Sequence, residues 1–153
     1  MLSQTARYRD IVKPAVKLTV SLVVVGIIGS LILNIVNTIP GSFFTISALV
    51  QTGIGFVAIL ILLHFGTQIS VAMKRAFDSR PEVFMIAYSL VHLLAVLIAY
   101  ASFRDVFNLF VALPDWAYSL AFVGIGIIPG IKIATTIINS VDKWIDHHPR
   151  QGI

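Results

Sequence analysis

The chain has 153 residues, of which 58% are hydrophobic and 12% charged, whereas soluble domains carry about 25% charged residues. This composition and a mean hydropathy of +0.94 exclude an ordinary soluble domain and indicate a membrane protein. The net charge of +4 comes from basic residues beside apolar stretches, so it does not indicate a nucleic-acid partner. The lack of cysteine excludes disulfides, thiolate metal sites and thiol nucleophiles.

Four apolar stretches follow one another, each long enough to cross a hydrocarbon core of ~30 Å as a helix. A helix is expected because a segment in lipid must satisfy its own backbone hydrogen bonds, and the alternation of a β-barrel is absent. The predicted spans cover about residues 14–38, 43–73, 81–103 and 116–138. The sequence therefore predicts an all-α membrane protein, a single domain built as an antiparallel bundle of four transmembrane helices.

Two further segments have an amphipathic pattern. Phe103, Phe107 and Phe110 recur at helical spacing among polar residues, which predicts an interfacial segment over residues 104–115. Ile133, Ile137, Val141 and Trp144 also recur near helical period, which predicts that the fourth helix continues as an amphipathic cytoplasmic tail over residues 139–148.

Lysine and arginine are distributed unevenly between the two sides of the predicted membrane. By the positive-inside rule, both termini and the middle loop are expected to be cytoplasmic in a multi-pass protein of the plasma membrane. The first loop carries no basic residue and the third carries Arg104 alone. The basic residues of the other segments are Arg7, Arg9, Lys13 and Lys17 before or at the start of the first span, Lys74, Arg75 and Arg80 around the middle loop, and Lys132, Lys143 and Arg150 towards the end.

His64 and His92 are the candidate functional residues. Each lies ten residues from the charged segment between the second and third spans, or ~15 Å along a helix, near the membrane midplane. Gln68 shares a helical face with His64, and Tyr88 shares one with His92. Ionisable groups at that depth are costly, so they indicate a function unless they only cross-link helices.

Several roles remain open for this pair. Hydrogen-bonded packing is the simplest, and a proton relay or a gate controlled by protonation suits imidazole chemistry near neutral pH. Axial ligation of haem b, a metal site or a quinone site are alternatives. Neighbouring helices are usually ~8–10 Å apart, too close for a porphyrin, so a haem needs a diagonal placement or ligands from two subunits.

A polar stripe marks the outer half of the first two spans, formed by Ser30, Asn34, Asn37 and Gln51. Uncharged amides and hydroxyls can replace water around an ion, which makes the stripe a candidate pore lining or vestibule. The alternative is a packing seam cross-linked by amides. No acidic residue lies at depth in the spans, which argues against a cation-coupled transporter.

Gly126 and Gly130 form a small-xxx-small pair beside Pro129, a pattern typical of close helix crossing, or of a hinge at the proline.

The motifs of membrane metalloproteases, serine hydrolases and nucleotide-binding loops are missing, so an enzyme is not expected. The favoured hypothesis is a self-associating channel or transport component, tuned by the histidines, without a resident metal or cofactor. The lipid bilayer and either further copies or another membrane subunit would be its partners. The alternatives are a haem b or quinone-linked electron-transfer subunit, and an accessory or scaffold subunit of a larger complex.

Overall fold

The computed structural model describes residues 2–38, 44–77, 81–111 and 114–147, and side-chain environments for residues 9–38, 46–77, 81–111 and 114–142. These ranges contain four α-helices: α1 (Leu2–Thr38), α2 (Phe44–Ala76), α3 (Pro81–Val111) and α4 (Asp115–His147).

Each helix contains a segment that is long and apolar enough to cross a membrane: Arg9–Thr38, Ile46–Ala76, Pro81–Val111 and Asp115–Asp142, with 28 to 31 residues each. Helices of this length extend ~42–47 Å, which exceeds the ~30 Å hydrocarbon core. They must therefore tilt or project beyond the core. The chain has the architecture of a multi-pass membrane protein.

The helices run further than the predicted spans. α1 begins at Leu2, so Pro14 lies inside it rather than in its first turn. The part of the predicted interfacial segment before residue 112 forms the last turns of α3, and the predicted tail up to His147 continues α4. The physical reason is that a polar face does not interrupt a helix without a breaking residue. Residues 112, 113 and 148, which complete the two predicted segments, lie outside the described residues.

Helices that follow one another in the chain pack side by side, and their contacts run in opposite order. On α2 and α3, the Thr52 hydroxyl donates to the Ser102 carbonyl at 2.9 Å, while further along α2 Nζ of Lys74 lies 5.5 Å from the Phe84 ring centre. Among the described residues, contacts join α1 to α2, α2 to α3 and α3 to α4, and none joins α1 to α4. The four helices therefore form a row, without the α1–α4 contact that would close a bundle within one chain.

The core is small and consists mainly of small side chains. Ser70 is fully buried, and its hydroxyl donates to the Gly66 carbonyl at 2.9 Å. Thr136 is buried on α4, and its hydroxyl donates to the Lys132 carbonyl at 2.7 Å. Such bonds satisfy hydroxyls within their own helix where no water is present. The buried hydrophobic residues are Ala48, Leu62, Ala72, Ala95 and Tyr118, and most large aliphatic side chains remain exposed.

Glycines mark the closest approaches between helices. A Cβ added at Gly29 of α1 would lie 2.9 Å from Ile54 of α2, and one added at Gly66 of α2 would lie 2.6 Å from Val91 of α3. Gly55 is also tightly covered by α3. In lipid, close backbone approach supplies the van der Waals contact that holds helices together. These three glycines allow close helix crossing between α1, α2 and α3, the role that was predicted for the glycines of α4.

The predicted seam on α4 is more open. A Cβ at Gly126 would meet Val96 and Leu93 of α3 at 3.8 and 3.9 Å, which are ordinary contact distances. A Cβ at Gly130 would meet nothing within 4 Å. Within one chain, Gly126 borders α3 loosely and Gly130 leaves room for another helix.

Candidate functional site

His64 lies on an exposed face of α2, one turn before Gln68. Its Nε2 is 3.1 Å from Nε2 of Gln68, so the amide donates to the imidazole when the ring proton is on Nδ1. The ring also meets the edge of Phe65, with the ring centres 4.9 Å apart. One of the two amide hydrogens of Gln68 is thereby used, and the other is available to a further acceptor.

His92 is half-buried on α3 and bonds to its own helix. Its Nδ1–H donates to the Tyr88 carbonyl at 2.8 Å, which places the ring proton on Nδ1 and leaves Nε2 as an acceptor in the neutral imidazole. The ring centre is 4.3 Å from that of Tyr88, which stacks in turn on Phe84 at 5.9 Å. Backbone and aromatic contacts thus fix the orientation of His92.

The two histidines are level but separate. The contact between Gly66 and Val91 sets the register of α2 against α3, and His64 and His92 lie within two residues of it. In the described part of the chain, no hydrogen bond or ring contact joins them, and no group of three metal-type ligands is found. The structure therefore brings the imidazoles to the same level along the α2–α3 pair, each held by its own helix.

The outer polar stripe also lies on the surface of the chain. Ser30, Asn34 and Asn37 are exposed on α1, and Gln51 is exposed on α2. A Cβ at Gly26, one turn from Ser30, would meet nothing within 4 Å, so this face of α1 is open. The stripe is not a seam between α1 and α2, whose contact passes instead through Gly29.

A cavity that was not predicted from the sequence lies between α1 and α2, with a volume of about 530 Å³. Lys13 and Lys17 from α1 and Gln68 and Arg75 from α2 contribute to its lining. From the sequence, these cations predicted only the orientation of the chain. A short loop between consecutive helices makes them antiparallel neighbours, so the first half of α1 packs against the last half of α2. This pairing could have predicted that the cations of the two helices lie together.

At the opposite end, aromatic and polar contacts join α3 to α4. The Tyr118 hydroxyl donates to the Tyr100 carbonyl at 2.8 Å, and the Tyr100 hydroxyl lies 3.2 Å from Oγ of Ser119. The Arg104 guanidinium lies 3.5 Å from the Asp115 carboxylate. A mainly apolar cavity of about 380 Å³ follows towards Gly126. These contacts attach α4 to the rest of the chain.

No known protein family, curated protein or solved structure matches this chain.

Proposed function

We propose that the chain is a non-enzymatic subunit of a membrane assembly made from copies of itself, and that polar faces of α1 and α2 form a path for a small solute or ion at the contacts between copies. The observation that carries this proposal is that the polar side chains at membrane depth lie on surfaces that one chain leaves uncovered.

Polar groups are costly in lipid, which favours self-association. Asn34 and His64 are exposed in the single chain, within segments that are apolar enough to span the membrane. Amide and imidazole groups at such positions usually face protein or a water-filled cavity. A second copy would supply hydrogen-bond partners, and Gly130, which is open to approach, would let a second helix come close. The same contacts would close the bundle that one chain leaves open.

The orientation that we propose follows from charge. One end of the four helices, next to the connection between α2 and α3, carries a group of cations, and we call it the basic end. Its cations are Lys13, Lys17, Lys74 and Arg75. At the other end, Arg104 is paired with Asp115. The positive-inside rule then assigns the basic end and both termini to the cytoplasm, in the plasma membrane.

The proposed path uses the residues that can replace water. The stripe at Ser30, Asn34 and Asn37 would form its outer vestibule, and His64 with Gln68 would form a polar constriction deeper in the membrane. Imidazole side chains there would gate or tune passage through their hydrogen bonds. An electron-transfer role would instead require His64 and His92 to ligate a haem across subunits, which a Soret band in the purified protein would reveal.

The experiment compares Asn34→Leu and Gly130→Leu with the matched control Val20→Leu, at an α1 position that is 55% exposed. We expect light scattering in detergent to show an oligomer for the wild type and the control and a smaller species for the two variants. We also expect solute flux into liposomes to fall with the oligomer. A monomeric wild type would contradict self-association, and an oligomer without flux would favour the scaffold alternative.

A further inference from the structure

The cavity between α1 and α2 is positively charged. Three cations, Lys13, Lys17 and Arg75, and one carboxylate, Asp10, contribute to its lining, and all four side chains are exposed. Among the residues that the structure describes, one ion pair is found, between Arg104 and Asp115 at the other end of the helices. The three cations are therefore not held by a described carboxylate, and their field favours an anion in the cavity.

From its position on the apolar segments of α1 and α2, we expect the cavity at the depth of lipid headgroups. Lys13 and Arg75 are near the ends of the apolar segments of α1 and α2, and Lys17 is one turn deeper than Lys13. Gln68 is two turns from Arg75, or ~10 Å along the helix axis. The headgroup region adds ~5–8 Å to each side of the hydrocarbon core. The level of the lipid phosphates is therefore expected between Arg75 on the outside and Gln68 on the inside.

Exposed apolar side chains follow the lining residues along both helices, towards the middle of each apolar segment. Val24 lies two turns beyond Lys17 on the same face of α1 and is 45% exposed. Leu60 lies two turns beyond Gln68 on the same face of α2 and is 51% exposed. A soluble anion would contact only the cationic cavity. An amphiphile with an anionic head would contact both the cationic cavity and the apolar side chains next to it.

We propose that this cavity binds the phosphate-bearing headgroup of an anionic phospholipid. Lys13 and Lys17 supply charge, and Arg75 supplies the planar guanidinium that suits a phosphate. The acyl chains lie along Val24 and Leu60. This inference does not depend on the proposed self-association, because both walls of the cavity belong to one chain.

The test measures lipid binding by the purified full chain. Wild-type protein and the variants Lys17→Gln, Arg75→Gln and the double variant are placed in phosphatidylcholine nanodiscs with phosphatidylglycerol as the minor lipid, and retained lipid is counted by native mass spectrometry. The matched control is Lys74→Gln, since Lys74 adjoins Arg75 but its ammonium lies over Phe84 of α3. Circular dichroism confirms that each variant is folded.

We expect phosphatidylglycerol affinity to fall about fivefold for each cation removed from the cavity, and to stay at the wild-type level in Lys74→Gln. Lys17→Arg, which keeps the charge, should retain the lipid. An equal loss in Lys74→Gln would reduce the effect to general surface charge and overturn the site. Displacement of the lipid by inorganic phosphate at equal concentration would assign the cavity to a soluble anion instead.

Discussion

Gly66 shows at the scale of one residue why helix contacts in this protein depend on close backbone approach. Gly66→Ala would place a methyl group 2.6 Å from a Val91 methyl, and Val91 is branched and cannot easily turn away. We expect the free energy of unfolding in detergent to fall by about 1–2 kcal/mol, because overpacking outweighs the better helix propensity of alanine.

The control for this prediction is Gly53→Ala on the same helix. A Cβ at Gly53 would meet nothing within 4 Å, so only helix propensity acts and stability should rise by up to ~1 kcal/mol. Val91→Ala should recover part of the loss in the Gly66→Ala background. Equal stability of the two alanine variants would show that Gly66 is not a close contact.

At the scale of elements, α4 depends on a single neighbour. Its described contacts are with α3, and Tyr118 is central to them because it is 2% exposed and surrounded by Tyr100, Phe107 and Phe122 at ring-centre distances of 4.7–5.4 Å. Tyr118→Phe should cost about 0.5–1.5 kcal/mol through the lost hydrogen bond, and Tyr118→Ala about 3–5 kcal/mol.

Hydrogen exchange should locate the effect of these substitutions. Because α4 contacts neither α1 nor α2 in the described residues, faster exchange is expected in α4 and the adjoining part of α3, with α1 unchanged. Trp116→Ala, at a position 69% exposed, is the control and should change stability by less than ~0.5 kcal/mol. Uniformly faster exchange in all four helices would indicate that the row unfolds as one unit.

At the scale of the whole molecule, charge decides orientation. We expect reporter fusions after Gly41 and after Asp105 to read as external and a fusion after Asp78 to read as internal, because Lys13, Lys17, Lys74 and Arg75 lie at the basic end. The measurement is a pair of reporters that are active on opposite sides of the membrane. A reversed reading at any of the three sites would refute the proposed orientation.

The sequence by itself determined the class of protein and the number of candidate spans. Hydropathy is a local property, so the apolar runs around His64 and His92 identify the helices that carry them whatever the neighbouring helices do. The same local reasoning predicted which residues are polar at depth. Local reasoning predicted the helix ends less well. The third span was predicted to end at residue 103, but α3 continues to Val111, and the first span was predicted to begin at Pro14, which lies inside α1.

Only the tertiary structure decided how the helices meet. Lipid is as apolar as leucine or valine, so an apolar face does not reveal whether it packs against a helix or against lipid. The choice depends on close approaches between residues far apart in sequence, such as Gly29 with Ile54 and Gly66 with Val91. For that reason the row of helices and the separate bonds of the two histidines emerge only from the folded chain, as does the volume of the basic cavity between α1 and α2.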